Sequence, residues 1–497
     1  MNSFQFLPAY PEIFLAIAIS AILLIDVYSK DAQRGLTYRL SLYSCLIVAA
    51  LNLAYLDTGE TWYIFGHMFV SDPLSNLLKV ASSIAVAVTL VYSRNYVNER
   101  GMVTGERHGE FYVLALFSLL GQMVMISANN FMTIFLGLEL LSLALYAMVA
   151  LRRDSSAAME AAMKYFILGA LSSGFLLYGM SMVYGATGSL DLSQIARVLT
   201  AGSSDRTVLV FGLVFIISGL AFKLGVVPYH MWVPDVYQGA PTAVTLLIGG
   251  APKLAAFAIT LRLLVEGMIT LAVDWQQMLL VLALLSLVVG NLSAIAQTSI
   301  KRMLAYSTIA HMGFMLLGMM SGIINGNAYS AAGAYSAALF YTLTYVLTTL
   351  GSFGVLLAIS RHGSEADRFE DFKGLHKRAP GLALIMMIMM FSLAGVPPTV
   401  GFYAKFAVLG AVVGTGMIWL AVFAVMTSLI AAFYYLRVVK MMYFDAPEEN
   451  SDLSMTGLRG DMKTLLIING AAVLVLGLMP EWLMRACISA MTRTLTS

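Results

Sequence analysis

Charge is what this chain has least of. Only 11% of its 497 residues are Asp, Glu, Lys or Arg, against roughly 25% in a soluble domain. The net charge of +2 is too small to attract a polyanion, so no nucleic-acid partner is expected. Cysteine is almost missing as well. Cys45 and Cys487 lie far apart in or beside apolar stretches, which implies neither a disulfide framework nor a cysteine-held metal cluster. No G-x-G-x-x-G follows a strand pattern, and the cysteines are too few for an iron–sulfur site, so no nicotinamide, flavin or cluster is expected here. The amino terminus has no basic stretch, and no A-x-A-like site follows the first apolar run. That run is therefore expected to remain as a helix.

What the chain does have is apolar length. Hydrophobic residues make up 60% of it, and a helix needs about 20 of them to cross a bilayer. Fourteen runs qualify, at 7–26, 38–56, 72–93, 111–128, 130–150, 160–184, 207–228, 241–265, 277–298, 303–321, 331–359, 381–412, 416–440 and 463–480. They are too long for barrel strands and do not alternate. The run at 381–412 exceeds one straight span and contains Gly395-Val396-Pro397-Pro398, so it reads as one helix interrupted midway. The fold class is an all-α integral membrane protein. The polar insertions at 363–379 and 444–462 are connectors rather than a soluble domain, and the tail after Pro480 suits the interface.

Loop charge orients the spans. Lys30, Arg34 and Arg39 lie in the first loop, and Arg94, Arg100 and Arg107 in the third. Arg152 and Arg153 occupy the fifth, Lys301 and Arg302 the ninth. Arg361, Arg368, Lys373, Lys377 and Arg378 occupy the eleventh, and Arg437 and Lys440 open the thirteenth. The second, eighth and tenth loops are poor in Lys and Arg. The positive-inside rule puts the odd loops in the cytoplasm and both termini outside. The sixth loop, with Arg197 and Arg206, fits least well. The seventh, Pro228 to Pro241, has no Lys or Arg and follows from alternation.

Against this apolar background four ionisable residues stand within spans: Glu139, Lys223, Lys253 and Lys405. Charge at that depth is costly and seldom without a role. Lys223 and Lys253 lie beside Pro/Gly interruptions, where broken helices leave free backbone groups that can hold water. If Glu139 lies near Lys223, each stabilises the other's charge, and such groups titrate as a set. Lys164 is close enough to a helix start to snorkel, and His311 alone suits a hydrogen-bonded packing role. Arg262 and Arg437 read as interfacial anchors, and Asp235 as a loop cap.

A weak echo recurs about every 170 residues. Gly225-Val226-Val227-Pro228 ends the seventh helix and Gly395-Val396-Pro397-Pro398 interrupts the twelfth, while Glu139 is matched by His311. The offset is five helices, and an odd offset inverts the second copy in the membrane. The expected units are 1–105 (helices 1–3), 106–270 (helices 4–8), 271–442 (helices 9–13) and 443–497 (connector, last helix and tail). Helices 7 and 12 are expected to be broken.

The stretch AFKLGVVPYHMWVPDVYQGAPTAVT, running on to Lys253 in GGAPKLAAFA, resembles the signature of the antiporter-like subunits of respiratory complex I. So do SIKRMLAYSTIAHMGF and FLGLEL around Glu139, and the likeness is strongest over 110–410. The resemblance implies a membrane subunit of the proton-translocating NADH-quinone oxidoreductase of the bacterial inner membrane. It implies proton translocation by Glu139, Lys223, Lys253 and Lys405, with His311 and, less closely matched, Lys164. It implies no cofactor in this chain; NADH, FMN, iron–sulfur clusters and quinone belong to other subunits. Implied partners are the other membrane subunits and, through them, the peripheral NADH-oxidising arm. The rival readings are a subunit of a multi-subunit sodium/proton antiporter, which the PDVYQGAPT form disfavours, and a spacer without its own proton path, which the buried lysines disfavour. A photosynthetic relative using ferredoxin is a third.

Overall fold

With so few side chains to solvate it, the backbone must satisfy its own hydrogen bonds, and in a bilayer an α-helix does so segment by segment. The computed structural model describes residues 3–29, 34–103, 109–202, 205–323, 331–360, 365–446 and 459–496. Lys30, Arg107 and Arg361, expected as loop charges, lie outside them. The helices are α1 (Tyr10–Tyr28), α2 (Gly35–Thr58), α3 (Pro73–Glu99), α4 (Glu110–Ile126), α5 (Phe131–Val149), α6 (Ser156–Thr187), α7 (Leu192–Ala201) and α8 (Arg206–Leu224). There follow α9 (Trp232–Gly239), α10 (Thr242–Gly249), α11 (Pro252–Leu261), α12 (Ala272–Ile295), α13 (Ile300–Met320) and α14 (Ala331–Ile359). The last are α15 (Leu375–Arg378), α16 (Pro380–Ala394), α17 (Val400–Gly414), α18 (Ile418–Tyr443), α19 (Gly460–Leu478) and α20 (Glu481–Thr496).

Among the described residues twelve helical segments are long and apolar enough to cross a membrane. The shorter α4 and the α16–α17 pair complete the fourteen expected spans. An antiparallel hairpin of β1 (Trp62–Ile64) and β2 (Phe69–Ser71) was not expected, nor was α7 in the sixth loop. The hairpin continues through a bridge from Phe69 to Ala128.

The seventh span is broken as expected, but the loop reading of 228–241 needs correction: that stretch contains α9, the second half of the broken helix that begins with α8. Contacts along α6 establish this, because they descend in order. Ser172 Oγ donates to the Gly219 carbonyl at 3.3 Å, and Tyr165 stacks on Trp232 at 4.6 Å between centroids. Lys164 pairs with Asp235, and a Cβ on Gly239 would lie 2.7 Å from the Ala157 carbonyl. The chain thus continues past the break beside the same neighbour, towards the basic face. The eighth span is interrupted too, at the Pro/Gly stretch beside Lys253: Gly250 separates α10 from α11 with φ −99° and ψ −108°. The twelfth is broken as expected between α16 and α17.

Both chain ends lie on one face. The Tyr55 hydroxyl, near the end of α2, donates to the Leu7 carbonyl at 2.5 Å. At the other terminus, Thr494 accepts from the Leu74 amide at the start of α3, at 3.4 Å. The amphipathic α20 packs on α3 and α14 and leaves Trp482 exposed.

Candidate functional site

Each interrupted helix leaves carbonyls without intrahelical partners, and the buried lysines fill that need. At the end of α8, Gly225 takes the left-handed conformation, φ +79°, which a side chain would resist. Its N–H reaches back to the Ala221 carbonyl at 2.9 Å. Trp232 Nε1 donates to the Phe222 carbonyl at 3.0 Å. The two carbonyls beyond go to Lys253: its Nζ donates to Leu224 at 2.8 Å and to Lys223 at 3.3 Å. A cation at a helix C-terminus also meets the negative end of the helix dipole. Lys253 can stand there because Pro252 starts α11 immediately before it.

The second half repeats the device. Gly395, φ +85°, ends α16 and bonds back to the Phe391 carbonyl at 2.9 Å. Lys405, from α17, donates to Leu393 at 3.0 Å, to Ala394 at 2.9 Å and to Ser428 Oγ at 2.7 Å. Lys253 and Lys405 therefore do the same thing in the two halves from different places. One follows the break of the next helix; the other lies on the far side of its own.

Lys223 points the opposite way, towards α5. Its Nζ donates to Ser142 Oγ at 2.8 Å, and Ser142 in turn donates to the Leu138 carbonyl at 2.6 Å. Glu139 lies one turn from Ser142 and acts electrostatically on Lys223. Among the described residues the two form no direct ion pair, and Glu139 Oε1 is buried without a hydrogen-bond partner. A cavity of about 30 Å³ bounded by Ser142, Lys223, Trp232 and Lys253 joins the two lysines, with room for one or two waters.

His311 on α13 occupies the middle of the second half, buried at 7% exposure. Its Nδ1 meets the Tyr341 hydroxyl at 2.6 Å and its Nε2 the Tyr435 hydroxyl at 3.1 Å. Tyr345 donates to Thr308 Oγ1 at 2.8 Å. Tyr237, from α9, lies against Thr308 and Tyr345 on the side of the first half, with its hydroxyl buried and making no hydrogen bond. On the other side, a cavity of about 10 Å³ is shared by His311, Thr348, Ser392 and Lys405, enough for about one water. Hydroxyls and imidazole both donate and accept, so a series of them can pass a proton along.

The structure thus brings Glu139, Lys223 and Lys253 together, and His311 with Lys405. Lys164 stands apart at the basic face. It is 43% exposed and pairs with Glu160 and Asp235, while Asp235 also binds Arg302 at 2.8 Å. Asp235 is therefore an interhelical ion-pair residue, not a loop cap. Arg262 is no interfacial anchor either. It is 1% exposed and binds Asp72 at 2.9 Å, Glu266 at 3.0 Å and the Ile126 carbonyl at 2.8 Å. Arg437 sits at the end of α12, donating to the carbonyls of Ile295 and Gln297.

Sequence reasoning passed over two buried charge groups. Lys79 and Glu12 pair at 2.6 Å, linking α3 to α1. Glu365 gathers Arg152 and Lys301, and Lys301 is buried rather than a free loop charge. Partners tens to hundreds of residues apart gave no local signal. Among the described residues no three His, Cys, Asp or Glu side chains gather as a metal-ligand set.

Residues 128–431 match the family described as "NADH:quinone oxidoreductase/Mrp antiporter, TM", so the fold is that of an antiporter-like membrane protein. The NADH-quinone oxidoreductase subunit N of Herminiimonas arsenicoxydans is 62% identical over 100% of both chains. The chain belongs to the family of NADH-quinone oxidoreductase subunit N. A chain of respiratory complex I from Thermus thermophilus, solved with bound aureothin, is 33% identical and superposes with a TM-score of 0.80. That match covers 97% of this chain and 100% of the other. A chain of the Mrp complex from Dietzia superposes at 0.82 over 100% and 99% of the two chains but is 20% identical, a likeness of fold alone.

Proposed function

We propose that this chain moves protons as a membrane subunit of an NADH-quinone oxidoreductase, through a polar line at mid-membrane. Glu139 and Lys223 form the input pair, Lys253 and His311 carry the proton laterally, and Lys405 lies towards the exit or the next subunit. Redox chemistry occurs in other subunits and reaches this one as a shift of charge. The observation that carries the reading is the repeated device. Two lysines hold the open carbonyls of two broken helices, with imidazole and hydroxyls between them. A spacer would need neither.

The same reading covers the placement. Units 106–270 and 271–442 act as inverted halves flanked by 1–105 and 443–497. The basic face is cytoplasmic, both termini face outwards, and the membrane is the bacterial inner membrane, supported by the loop bias in Lys and Arg. Lys164 belongs to the ion pairs at the cytoplasmic mouth rather than to the line itself.

Lys223→Ala and Lys223→Arg test the reading. NADH-driven, inhibitor-sensitive proton uptake is measured in membrane vesicles and normalised to assembled complex. Both variants are expected to assemble and to lose most pumping, since arginine keeps the charge but does not release a proton. Wild-type pumping by Lys223→Arg would reduce Lys223 to a fixed charge and remove the proposed carrier.

A further inference from the structure

The two broken helices of the first half meet at one joint, Ala240-Pro241, between the end of α9 and the start of α10. At that joint stand two opposite charges, both supplied by the second half. Lys301, from the first turn of α13, donates to the Ala240 carbonyl at 2.7 Å. Glu365, from the connector after α14, accepts from Thr242 Oγ1 at 2.6 Å and lies 3.4 Å from Lys301 Nζ. Each charge has the sign its helix end favours: the cation at the C-terminus of α9, the carboxylate at the N-terminus of α10. Tyr96 of α3 donates to Glu365 and accepts from the Thr242 amide, while Arg152 reaches Glu365 at 3.1 Å. One carboxylate therefore ties α3, the α5–α6 turn, α10 and α13.

Its own position is fixed by backbone. Ile300 donates to the Asp367 carbonyl at 2.7 Å and Phe369 to Thr298 at 3.4 Å, so the connector is stitched to the α12–α13 turn. Burial alone would push the Glu365 carboxyl up. Lys301 and the hydrogen bonds from Thr242 and Tyr96 outweigh it and hold the carboxyl down at about 2. A group that stays ionised at every physiological pH is no proton relay. It is a fixed anchor.

The joint lies at the basic ends of the two elements that define the first site. Upstream, α9 leads back to Trp232, which holds the Phe222 carbonyl. Downstream, α10 leads to the Gly250 interruption and Lys253. At its far end the same α10–α11 span is gripped through Arg262 by Asp72, the N-cap of α3. Helix α3 thus holds both ends of the span that carries Lys253, with the Gly250 interruption between them.

Resting on the proton-line reading above, we propose that Glu365 is a positioning residue: it clamps the Ala240–Thr242 joint and so sets where Lys253 stands against the α8 carbonyls and Lys223. The second half thereby holds the geometry of the first.

The test uses the assembled complex in vesicles with Glu365→Gln, Glu365→Asp, Thr242→Val and Lys253→Ala. Proton uptake per assembled complex is read from pH 6 to 9, beside NADH oxidation by an artificial acceptor, which reports the peripheral arm alone. Glu365→Gln is expected to assemble and to pump roughly five-fold more slowly with a displaced pH profile. Glu365→Asp recovers part of the rate. Thr242→Val moves the profile in the same direction, and the double variant with Glu365→Gln adds little. The artificial-acceptor rate stays unchanged. Wild-type rate and profile per complex in both Glu365→Gln and Thr242→Val overturn the proposal, as does a loss confined to complex yield. If Glu365→Gln does not assemble, Thr242→Val alone decides. Normal pumping by Lys253→Ala would instead sink the underlying proton line, so the two failures are distinguishable.

Discussion

Lys405 offers the cleanest separation between holding the fold and carrying a proton. Its ammonium makes three hydrogen bonds, at 2.7, 2.9 and 3.0 Å, two of them to the last carbonyls of α16. Bonds to a charged donor are worth about 1.5–3 kcal/mol each, and a buried carbonyl left unpaired costs about 1–3 kcal/mol. Lys405→Met should therefore cost roughly 3–6 kcal/mol locally and reduce the amount of complex. A tenfold loss in turnover corresponds to only about 1.4 kcal/mol in the barrier, so total activity in Lys405→Met would mix the two effects. Lys405→Arg separates them. Arginine keeps the charge and has donors to spare, but it does not deprotonate. It is also bulkier, in a site where a Cβ on Gly395 would already lie 2.8 Å from the lysine Cδ. Overpacking of that kind costs about 1–3 kcal/mol, so yield should fall moderately. The assay is NADH-driven proton uptake in inverted vesicles, divided by complex quantified on native gels. The expected result is a loss of at least about tenfold per complex for Lys405→Arg. Wild-type pumping per complex would refute proton carriage by Lys405 and leave a helix cap.

Gly395→Ala should depress pumping per complex while sparing the artificial-acceptor activity, because φ +85° and the Lys405 side chain both oppose a methyl there; unchanged pumping would show the break to be tolerant. Arg262→Met leaves the buried Asp72 and the partly buried Glu266 without their cation. Removing one partner of a buried pair costs about 3–5 kcal/mol, so the melting midpoint of purified complex in detergent should drop well below wild type. The Glu365 carboxyl is held at about 2, below its unfolded value of about 4.3. Its stabilisation is thus complete above about pH 4.3 and fades as pH falls towards 2. The melting gap between wild type and Glu365→Gln should close over that window, and a gap that widens on acidification would contradict the sign. Single cysteines at Arg153 and Asp371 should react with impermeant reagents from the cytoplasmic side, and one at Glu60 from the outside; reversal at all three would invert the proposed topology.

The helices and the intramembrane charges were legible because both signals are local. A run of about 20 apolar residues is a span whatever surrounds it, and a lysine inside such a run stands out. The breaks at Gly225 and Gly395 were legible too, because a glycine followed by proline within three residues marks an interruption. The half-helix α9 was not. It is eight residues long, contains Pro234 and lies between Pro228 and Pro241, so by composition it reads as a turn. Its helical state comes from packing beside α6 and α13. Arg262 was misread because its partner Asp72 is 190 residues away, and Glu365 was missed because its partners come from four separate elements. Glu139 and Lys223 could be named as neighbours from sequence, but that a serine stands between them could not.

The glycines between paired helices have a mechanical consequence. A Cβ on Gly121 of α4 would run into the Leu141 backbone of α5, and one on Gly137 would lie 2.7 Å from the Met125 nitrogen. In the second half a Cβ on Gly290 of α12 would lie 2.8 Å from the Ala310 nitrogen of α13. The backbones that bear Glu139 and His311 are thus in contact with their partners, with no side chain between to be compressed or shifted. Lys223, Lys253 and Lys405, in contrast, all sit within a few residues of an interruption or reach across one. The acid and the imidazole thus stand on closely packed helix pairs, whereas each lysine stands at a break. Distances measured from Glu139 or His311 to their own helix pairs should stay constant through a catalytic cycle, so a spin label on α5 or α13 gives a fixed origin from which lysine-bearing segments can be followed.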